Sequence, residues 1–229
     1  MHKTALQNGE RFFKTYLTEG GSLTVLDIGA QDVNGSLRQF CPPHANYVGV
    51  DFVQGPGVDV VLTDPYKLPF EDNSADAIVS SSCFEHSEMF WLLFLEVMRV
   101  LKPTGLLYLN APSNGNFHRF PVDCWRFYPD SANALVTWGK RSGLNCVAVE
   151  SYTSNQRKNT FNDYVAIFLK EERFITKYPS RITQSYSDFT NGLVYPSSEL
   201  LNAEKKAEDQ RLLGWRVHSF VRRVLHTFM

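Results

Sequence analysis

The chain has 229 residues, 21% of them charged, and a formal net charge of −1. This length accommodates one large domain with its own hydrophobic core. The near-neutral, moderately charged composition excludes a largely disordered chain and disfavours a nucleic-acid-binding protein. Aromatic residues make up 14% of the chain, an excess whose location matters for the site discussed below.

The four cysteines are scattered at Cys41, Cys83, Cys124 and Cys146 and form no Cys-x-x-Cys pair. This spacing does not indicate a zinc ribbon or a redox motif. The sequence shows no signal-peptide pattern, and its apolar runs are too short to span a bilayer. We therefore expect a cytoplasmic protein in a reducing compartment, for which membrane contact would be peripheral.

Predicted helices and strands alternate along most of the chain. Residues 5–17 have the spacing of an amphipathic helix, so residues 1–22 are predicted as an N-terminal helical segment. The predicted strands cover residues 23–29, 47–52, 58–64, 75–82, 106–112, 145–152 and 163–170. Two further helices are predicted over residues 87–101 and 130–142, the second with Asp130 as N-cap and Gly143 beyond its end.

Most of these strands are apolar on both faces, which is typical of a parallel sheet covered by helices on both sides. The predicted fold is α/β: a doubly wound, Rossmann-like, seven-stranded and mostly parallel sheet over residues 23–170. Residues 171–197 show no clear period, and 198–213 are predicted to form a polar helix. We treat 171–229 as a helical C-terminal extension that acts as a lid, an oligomerisation element or a membrane-proximal segment.

The first candidate binding segment follows the first predicted strand. There Asp27 ends the strand, and Gly29 turns the chain into what is expected to be a helix. Glycine lets the backbone approach a ligand closely, and a helix N-terminus attracts a carboxylate or a phosphate. Asp27 could instead only cap that helix.

Two further acidic residues follow the next strands. Asp51 ends the second predicted strand, where a carboxylate can accept hydrogen bonds from two ribose hydroxyls. Asp64 ends the third and could accept a hydrogen bond from the exocyclic amine of a purine, with apolar neighbours enclosing the ring. Pro65 has no N–H, so a backbone donor to that ring must come from a neighbour such as Tyr66. The alternative for Asp51 is a turn acid without a ligand.

The ordered motifs resemble those of class I S-adenosylmethionine-dependent methyltransferases of the small-molecule type. Asp27-x-Gly29 matches the first half of the family's D-x-G-x-G-x-G loop, Asp51 matches its ribose-binding acid, and Asp64 matches the acid that faces adenine. Asp76–Val79 match the fourth strand, and Phe84-Glu85-His86 match the Glu-His pair that follows it. Glu96-x-x-Arg99 and Lys102-Pro103-x-Gly105 match the next helix and the turn after it. Gln31 and Val33 stand where this family usually has glycines. The resemblance covers roughly residues 23–170.

The resemblance implies S-adenosylmethionine as cofactor and a set of residues that hold it. Asp27, Gly29 and Ala30 would hold the amino-acid part, Asp51 and Phe52 the ribose, and Asp64, Pro65 and Tyr66 the adenine. Ser81 and Ser82, at the end of the fourth predicted strand, could hydrogen-bond the cofactor or the acceptor. Glu85 and His86 could alternatively be the N-terminal cap region of the next helix.

The aromatic excess is densest in residues 117–128, after the fifth predicted strand. Aromatic faces stack on sugars or bases, and Arg side chains bind carboxylates or phosphates. The candidate acceptor-binding residues of this loop are Arg119, Asp123, Trp125, Arg126 and Tyr128. In the alternative interpretation the loop is a packed lid, with Trp125 and Phe127 in the core and Arg126 paired with Asp123.

Two histidines are candidate general bases. His118 lies in the aromatic loop, and His86 follows the fourth predicted strand, close to the expected position of the transferred methyl group. Metal-dependent O-methyl transfer is disfavoured, because Ser80–Ser82 and Asn110 offer no Asp-Asp-Asn set for a hard cation. No metal site is therefore predicted.

The string from His118 to Asp130 is similar to one in a methyltransferase subgroup often placed in bacterial surface-polysaccharide or glycosylation pathways. This similarity implies O-methylation of a sugar in a polysaccharide or glycoconjugate. Two alternatives remain: N-methylation of an amino sugar or small amine, and a non-catalytic nucleoside-binding partner subunit.

The last twenty residues, 210–229, are basic and contain a candidate amphipathic helix. Such a helix can pack on the domain or on a second subunit in a homo-oligomer. It can also dock on an anionic membrane, where a lipid-linked glycan would be found. The expected acceptor is a small molecule or a glycan, with no nucleic acid involved.

Overall fold

The computed structural model describes residues 1–18, 21–155 and 161–204. Its centre is an eight-stranded sheet with the order β3-β2-β1-β4-β5-β7-β6-β8. The strands are β1 (Leu23–Ile28), β2 (Ala45–Asp51), β3 (Val60–Val61), β4 (Ala75–Ser81), β5 (Leu101–Pro112), β6 (Val147–Ser154), β7 (Asp163–Leu169) and β8 (Phe189–Val194). β1 to β5 pair in parallel, whereas β7 is antiparallel to β5 and β6, and β8 is antiparallel to β6. The strand order reverses between β1 and β4, and the crevice at their carboxyl ends is where such sheets bind ligands.

Helices cover both faces of this sheet. They are α1 (Lys3–Tyr16), α2 (Phe90–Val100), α3 (Asp130–Arg141) and α4 (Ile182–Ser185). Successive residues of β1 face opposite layers: Val25 belongs to the buried cluster that contains Phe12 of α1, and Leu26 belongs to the cluster that contains Phe94 of α2. Helices on both faces confirm the predicted Rossmann-like, doubly wound arrangement. A strand with two apolar faces needs such a helical layer on each side.

The connection from β1 to β2 corrects one prediction. No α-helix follows Gly29 there; the segment contains only a short 3-10 helix, Leu37–Phe40. The N-terminal α1 packs against it so closely that a methyl group added at Gly9 would lie 2.3 Å from Leu37 Cδ2. The long-helix N-terminus that the sequence suggested as an anion site is therefore missing from this connection.

The predicted count of seven strands is wrong, because β8 adds an eighth at the β6 edge. The sequence of this strand, FTNGLV, does not predict it, because polar Thr190 and Asn191 interrupt the apolar alternation. Asn191 also has a left-handed φ of 53°. The described part of the extension is also not mainly helical. Residues 198–204 form no helix, and Leu201 instead pairs with Gly192. The basic segment 210–229 lies outside the described residues.

Two element boundaries also differ from the prediction. β3 contains only Val60–Val61, so Asp64 lies beyond the strand in a turn and not at a strand end. The N-cap of α3 is Pro129, and Asp130 is the first helical residue, where its negative charge favours the helix dipole. Gly143 follows α3 with a φ of 89°, as its predicted place beyond the helix end requires.

Among the helices in the described ranges, none is both long and apolar enough to cross a membrane.

Candidate active site

Asp51 lies at the carboxyl end of β2 with only 8% of its surface exposed. Its two carboxylate oxygens accept hydrogen bonds from the backbone N–H groups of Gln31 (3.1 Å) and Val53 (3.2 Å). Each carboxylate oxygen can accept a second hydrogen bond, so these contacts fix the carboxylate without using its full capacity. Phe52, the next residue, is exposed beside it.

Asp27 is fully buried at the end of β1. It accepts a hydrogen bond of 2.6 Å from the Tyr47 hydroxyl. Burial raises the pKa of Asp27 to about 6, and the nearby Asp51 adds to the rise, whereas Tyr47 and Arg38 oppose it. The carboxyl is therefore half-protonated near pH 6 and mainly ionised at pH 7 in the free protein.

Gly29 turns the chain towards β2. It adopts a φ of 83°, and the N–H groups of Gly29 and Ala30 both donate to the Val50 carbonyl at 2.9 and 3.1 Å. A methyl group added at Gly29 would lie 2.6 Å from Cys83 Cβ. Glycine is required here both for the backbone conformation and for close contact with the segment after β4.

Two serines lie at the end of β4. Ser81 is buried, and its hydroxyl has no hydrogen-bond partner among the described residues. Ser82 has a φ of 56° and donates its backbone N–H to the Asn110 carbonyl at 2.9 Å. Ser81 therefore leaves a hydroxyl without a partner, and Asp51 has spare acceptor capacity, and both residues end parallel strands of the sheet. Such groups fit a polar ligand that carries hydroxyl and amino groups.

Asp64, Pro65 and Tyr66 are placed differently from the expectation. Asp64 is exposed and accepts the backbone N–H of Tyr66 at 2.8 Å, as an acid that closes its own turn does. The Tyr66 hydroxyl accepts the N–H of Met89 at 3.1 Å. Among the hydrogen bonds of the described residues, none joins this segment to Asp51.

The pair of Arg126 and Asp123 anchors the loop after β5. Its two bonds measure 2.6 and 2.8 Å, and the Arg126 guanidinium lowers the pKa of Asp123 to about 2. Arg126 also donates to the Asn116 carbonyl, while Asp123 accepts the backbone N–H of His118 at 2.7 Å. Both side chains, predicted as acceptor ligands, make the structural contacts of the packed-lid alternative.

The aromatic residues of this loop divide into two groups. Trp125 packs edge-on against Phe90, with ring centroids 5.2 Å apart, and the buried Phe127 stacks on Tyr164, with ring centroids 5.7 Å apart. In contrast, Phe117 is 75% exposed and Phe120 56%. Arg119 and Tyr128 are exposed as well, and Arg119 donates to the Pro121 carbonyl.

The structure brings the two candidate bases together. The rings of His86 and His118 meet edge to face with centroids 5.0 Å apart. His86 Nδ1 donates to the Val122 carbonyl, and burial lowers the pKa of His86, which favours its neutral form. The segment Phe84–His86 that carries it is a 3-10 turn, so the alternative of a helix-cap role for Glu85 and His86 is not what the backbone shows.

Glu85 completes this cluster, and the sequence interpretation missed it as a site residue. Its side chain is 1% exposed, and Oε2 has no hydrogen-bond partner among the described residues. Burial raises the pKa of Glu85 to about 8, with Asp163 and Asp123 adding to the rise and Arg126 opposing it. The signal was its place immediately before His86, directly after a buried strand.

The N-terminal segment also reaches this edge, which the sequence did not suggest. Asn8 of α1 donates to Asn110 at 3.2 Å, Asn110 donates to Asp163 at 3.3 Å, and His2 contacts Asp163 at 2.9 Å. Phe161, which stacks on His2, meets the His118 ring edge-on at 5.1 Å. α1 is therefore joined to the carboxyl edge of the sheet through buried polar contacts.

Part of the chain is similar to known methyltransferases. Residues 9–109 match the family model described as a methyltransferase domain. The phthiotriol/phenolphthiotriol dimycocerosates methyltransferase 1 of Mycobacterium ulcerans is 33% identical over 49% of this chain and 43% of its own. The fatty-acid O-methyltransferase of Mycolicibacterium smegmatis is 31% identical over 48% of this chain and 41% of its own. The chain thus spans less than half the length of these two curated relatives.

A solved structure shares the fold. The 1,6-didemethyltoxoflavin-N1-methyltransferase of Burkholderia thailandensis, determined with its substrate and S-adenosylhomocysteine, aligns with a TM-score of 0.58. The alignment covers 74% of this chain and 80% of that one at 17% identity, which establishes the fold alone. Residues 9–109 are therefore similar to a methyltransferase domain, and the chain shares its fold with a solved methyltransferase.

Proposed function

We propose that the protein transfers a methyl group from S-adenosylmethionine to a hydroxyl oxygen, and that Glu85, His86 and His118 activate that hydroxyl. The observation that carries the proposal is their convergence, directly after the carboxyl end of β4, within 4.8 Å of one another. Polar groups on two chain segments converge there, next to the crevice where a doubly wound sheet binds its ligand.

For the cofactor, the proposed ligands are the residues at the ends of β1, β2 and β4. Asp51 has acceptor capacity left for the ribose hydroxyls, and Phe52 offers an exposed aromatic face next to it. Asp27, Gly29 and Ala30 would hold the amino-acid part, and Ser81 and Ser82 would contact the same ligand. Asp64, Pro65 and Tyr66 remain proposed adenine neighbours, with weaker support because Asp64 is engaged in its own turn.

S-adenosylmethionine supplies a methyl group on a positively charged sulfur. What the chain must add is a correctly placed acceptor, a route for the hydroxyl proton and the exclusion of water. His118 and His86 are both placed to receive that proton, because each has its Nδ1 next to a backbone carbonyl and keeps Nε2 for another partner. Trp125 and Phe127 close the loop beneath them.

The acceptor would meet the outer surface of the aromatic loop. Phe117, Phe120 and Tyr128 are exposed there together with Arg119. Aromatic faces with a cationic fork suit a sugar of a polysaccharide or glycoconjugate, which is the proposed acceptor. The names of the curated relatives favour a second candidate, an oxygen of a lipid or fatty acid.

The experiment is a transfer assay with cofactor carrying a labelled methyl group. It compares four acceptor sets: neutral sugars, amino sugars, fatty acids and long-chain diols. Label on a sugar oxygen supports the proposal, and label on a lipid oxygen supports the second candidate. Label on nitrogen would replace O-transfer with N-transfer, and cofactor binding without transfer to any set would indicate a nucleoside-binding subunit.

A further inference from the structure

We propose that Glu85, His86 and His118 form a binding site for one divalent transition-metal ion beside the acceptor. Each of the three residues offers a ligand atom, and these atoms lie within 4.8 Å of one another. Two imidazoles and one carboxylate are a recurrent ligand set for zinc and for non-haem iron, with positions left open for water or substrate. One pair, His86 Nε2 and Glu85 Oε1, is 3.7 Å apart, close to the roughly 3–4 Å between ligands held 2.0–2.2 Å from one ion.

Glu85 supplies an independent reason to expect a cation. Its side chain is 1% exposed, and Oε2 lacks a hydrogen-bond partner within residues 1–18, 21–155 and 161–204. Among the ion pairs of the described ranges, its only partner is His86. Leaving a buried polar oxygen without a partner is costly. A bound metal ion would give this oxygen a partner.

The surroundings of the two histidines support the same assignment. His86 Nδ1 donates to the Val122 carbonyl, and His118 Nδ1 lies 3.2 Å from the Asn116 carbonyl and 3.4 Å from Asp123 Oδ2. A carbonyl can only accept, so each Nδ1 acts as the donor and each Nε2 is the ring nitrogen left to face a metal ion. Outer partners of this kind orient most metal-ligating histidines.

This ligand chemistry explains why the sequence did not predict a metal site. An all-oxygen set, of the kind the sequence lacks, suits a hard cation, whereas imidazole ligands suit zinc, cobalt, nickel or iron. The proposed function places the transferred methyl group beside this cluster. If that placement is correct, the ion also has a role in the reaction. An ion bound to both Nε2 atoms, with a coordination position left open, would replace the histidines as the group that activates the acceptor: it would bind the acceptor hydroxyl and lower its pKa, with the released proton passing to solvent.

The test uses full-length, tag-free protein stripped with a chelator and kept free of cofactor. Co²⁺ is titrated and followed by visible absorption, and Zn²⁺ and Mg²⁺ are titrated by calorimetry. We expect one equivalent of Co²⁺ or Zn²⁺ to bind, with a visible spectrum of nitrogen and oxygen ligation. His118→Ala and Glu85→Gln should each weaken binding more than about tenfold.

His44→Ala is the matched control, because His44 is exposed and lies outside the cluster; its affinity should equal that of the unchanged protein. Glu85 is buried, so the folding of its variant is checked by circular dichroism, and the partly exposed His118 provides the second variant. Binding that survives His118→Ala undiminished, or no stoichiometric binding at millimolar Co²⁺ and Zn²⁺, overturns the inference. S-adenosylmethionine binding measured on the same sample tests the proposed function separately.

Discussion

His86 and His118 lie with their rings edge to face and their centroids 5.0 Å apart, although one follows β4 and the other belongs to the loop after β5. The loop is held in this position by backbone contacts: the N–H groups of Cys124 and Trp125 both donate to the Glu85 carbonyl, at 2.8 and 3.2 Å. One short segment after β4 therefore carries two residues of the cluster and also positions the third.

His118→Ala should lower the rate of methyl transfer by about 10²–10⁴-fold, the range found when a positioned proton-transfer group is lost. Its side chain is partly exposed, so the free energy of unfolding should change little. The measurement is kcat with labelled cofactor and an acceptor that the transfer assay has identified. A variant with unchanged kcat would remove His118 from the acceptor chemistry.

Arg126→Ala should destabilise the protein by about 1–3 kcal/mol, because Asp123 would lose its two hydrogen bonds to Arg126 while almost fully buried. Chemical denaturation of the two proteins measures this difference. Arg119→Ala is the matched control, since Arg119 is exposed and donates to the Pro121 carbonyl; its effect should stay within about 0.5 kcal/mol. Equal effects of the two substitutions would contradict the structural role of Arg126.

The stability of the cofactor-free protein should carry a pH dependence that originates in Asp27. Burial raises its pKa from the ordinary 3.8 to about 6. The folded state therefore favours the neutral acid, and its stabilising contribution is complete below about pH 4 and lost as pH rises through 6. Asp27→Asn keeps an acceptor for Tyr47 and removes the titration.

The readout is the difference in free energy of unfolding between Asp27→Asn and the unchanged protein, measured in urea across this pH range. As pH rises from about 4 to above 6, the free energy of unfolding of Asp27→Asn should increase relative to that of the unchanged protein by about 3 kcal/mol. Each pH unit between the two pKa values corresponds to about 1.4 kcal/mol. A difference that does not change with pH would show that Asp27 ionises normally in the folded protein.

Gly29→Ala should destabilise more than Gly143→Ala by about 1–3 kcal/mol. Both glycines have a left-handed φ, 83° and 89°, so both substitutions carry a conformational cost. At Gly29 the added methyl meets an obstacle 2.6 Å away at Cys83 Cβ, whereas at Gly143 no atom of the part of the chain that the structure describes lies within 4 Å. Thermal unfolding of the two variants gives the comparison. Equal losses of stability would show that Cys83 can move aside without an energetic penalty.

The strands with two apolar faces could be predicted from sequence because burial on both sides leaves a continuous apolar pattern, as in β4. β8 could not, since Thr190 and Asn191 break that pattern and pairing with β6 supplies the order. The missing helix after Gly29 has a similar cause: the family motif predicts a helix locally, but α1, distant in sequence, packs there instead.

The residues of the candidate site also divide into those whose place the sequence could predict and those whose place it could not. Asp27 and Asp51 could be placed because strand ends in a doubly wound sheet are fixed by topology. The roles of Arg126 and Asp123 could not, because whether such side chains face a ligand or each other depends on the path of the loop. Glu85 was recognisable only as part of a motif, since its burial beside two histidines is a tertiary feature.

The central claim is that the carboxyl ends of β1 and β2 bind S-adenosylmethionine, and calorimetry with Asp51→Ala tests it most directly. The unchanged protein should bind the cofactor, and Asp51→Ala should weaken binding more than about tenfold, equivalent to about 1.4 kcal/mol. Asp64→Ala, which removes an exposed carboxylate engaged in its own turn, should weaken binding less. No detectable binding at millimolar S-adenosylmethionine, or equal affinity in Asp51→Ala, would contradict the account.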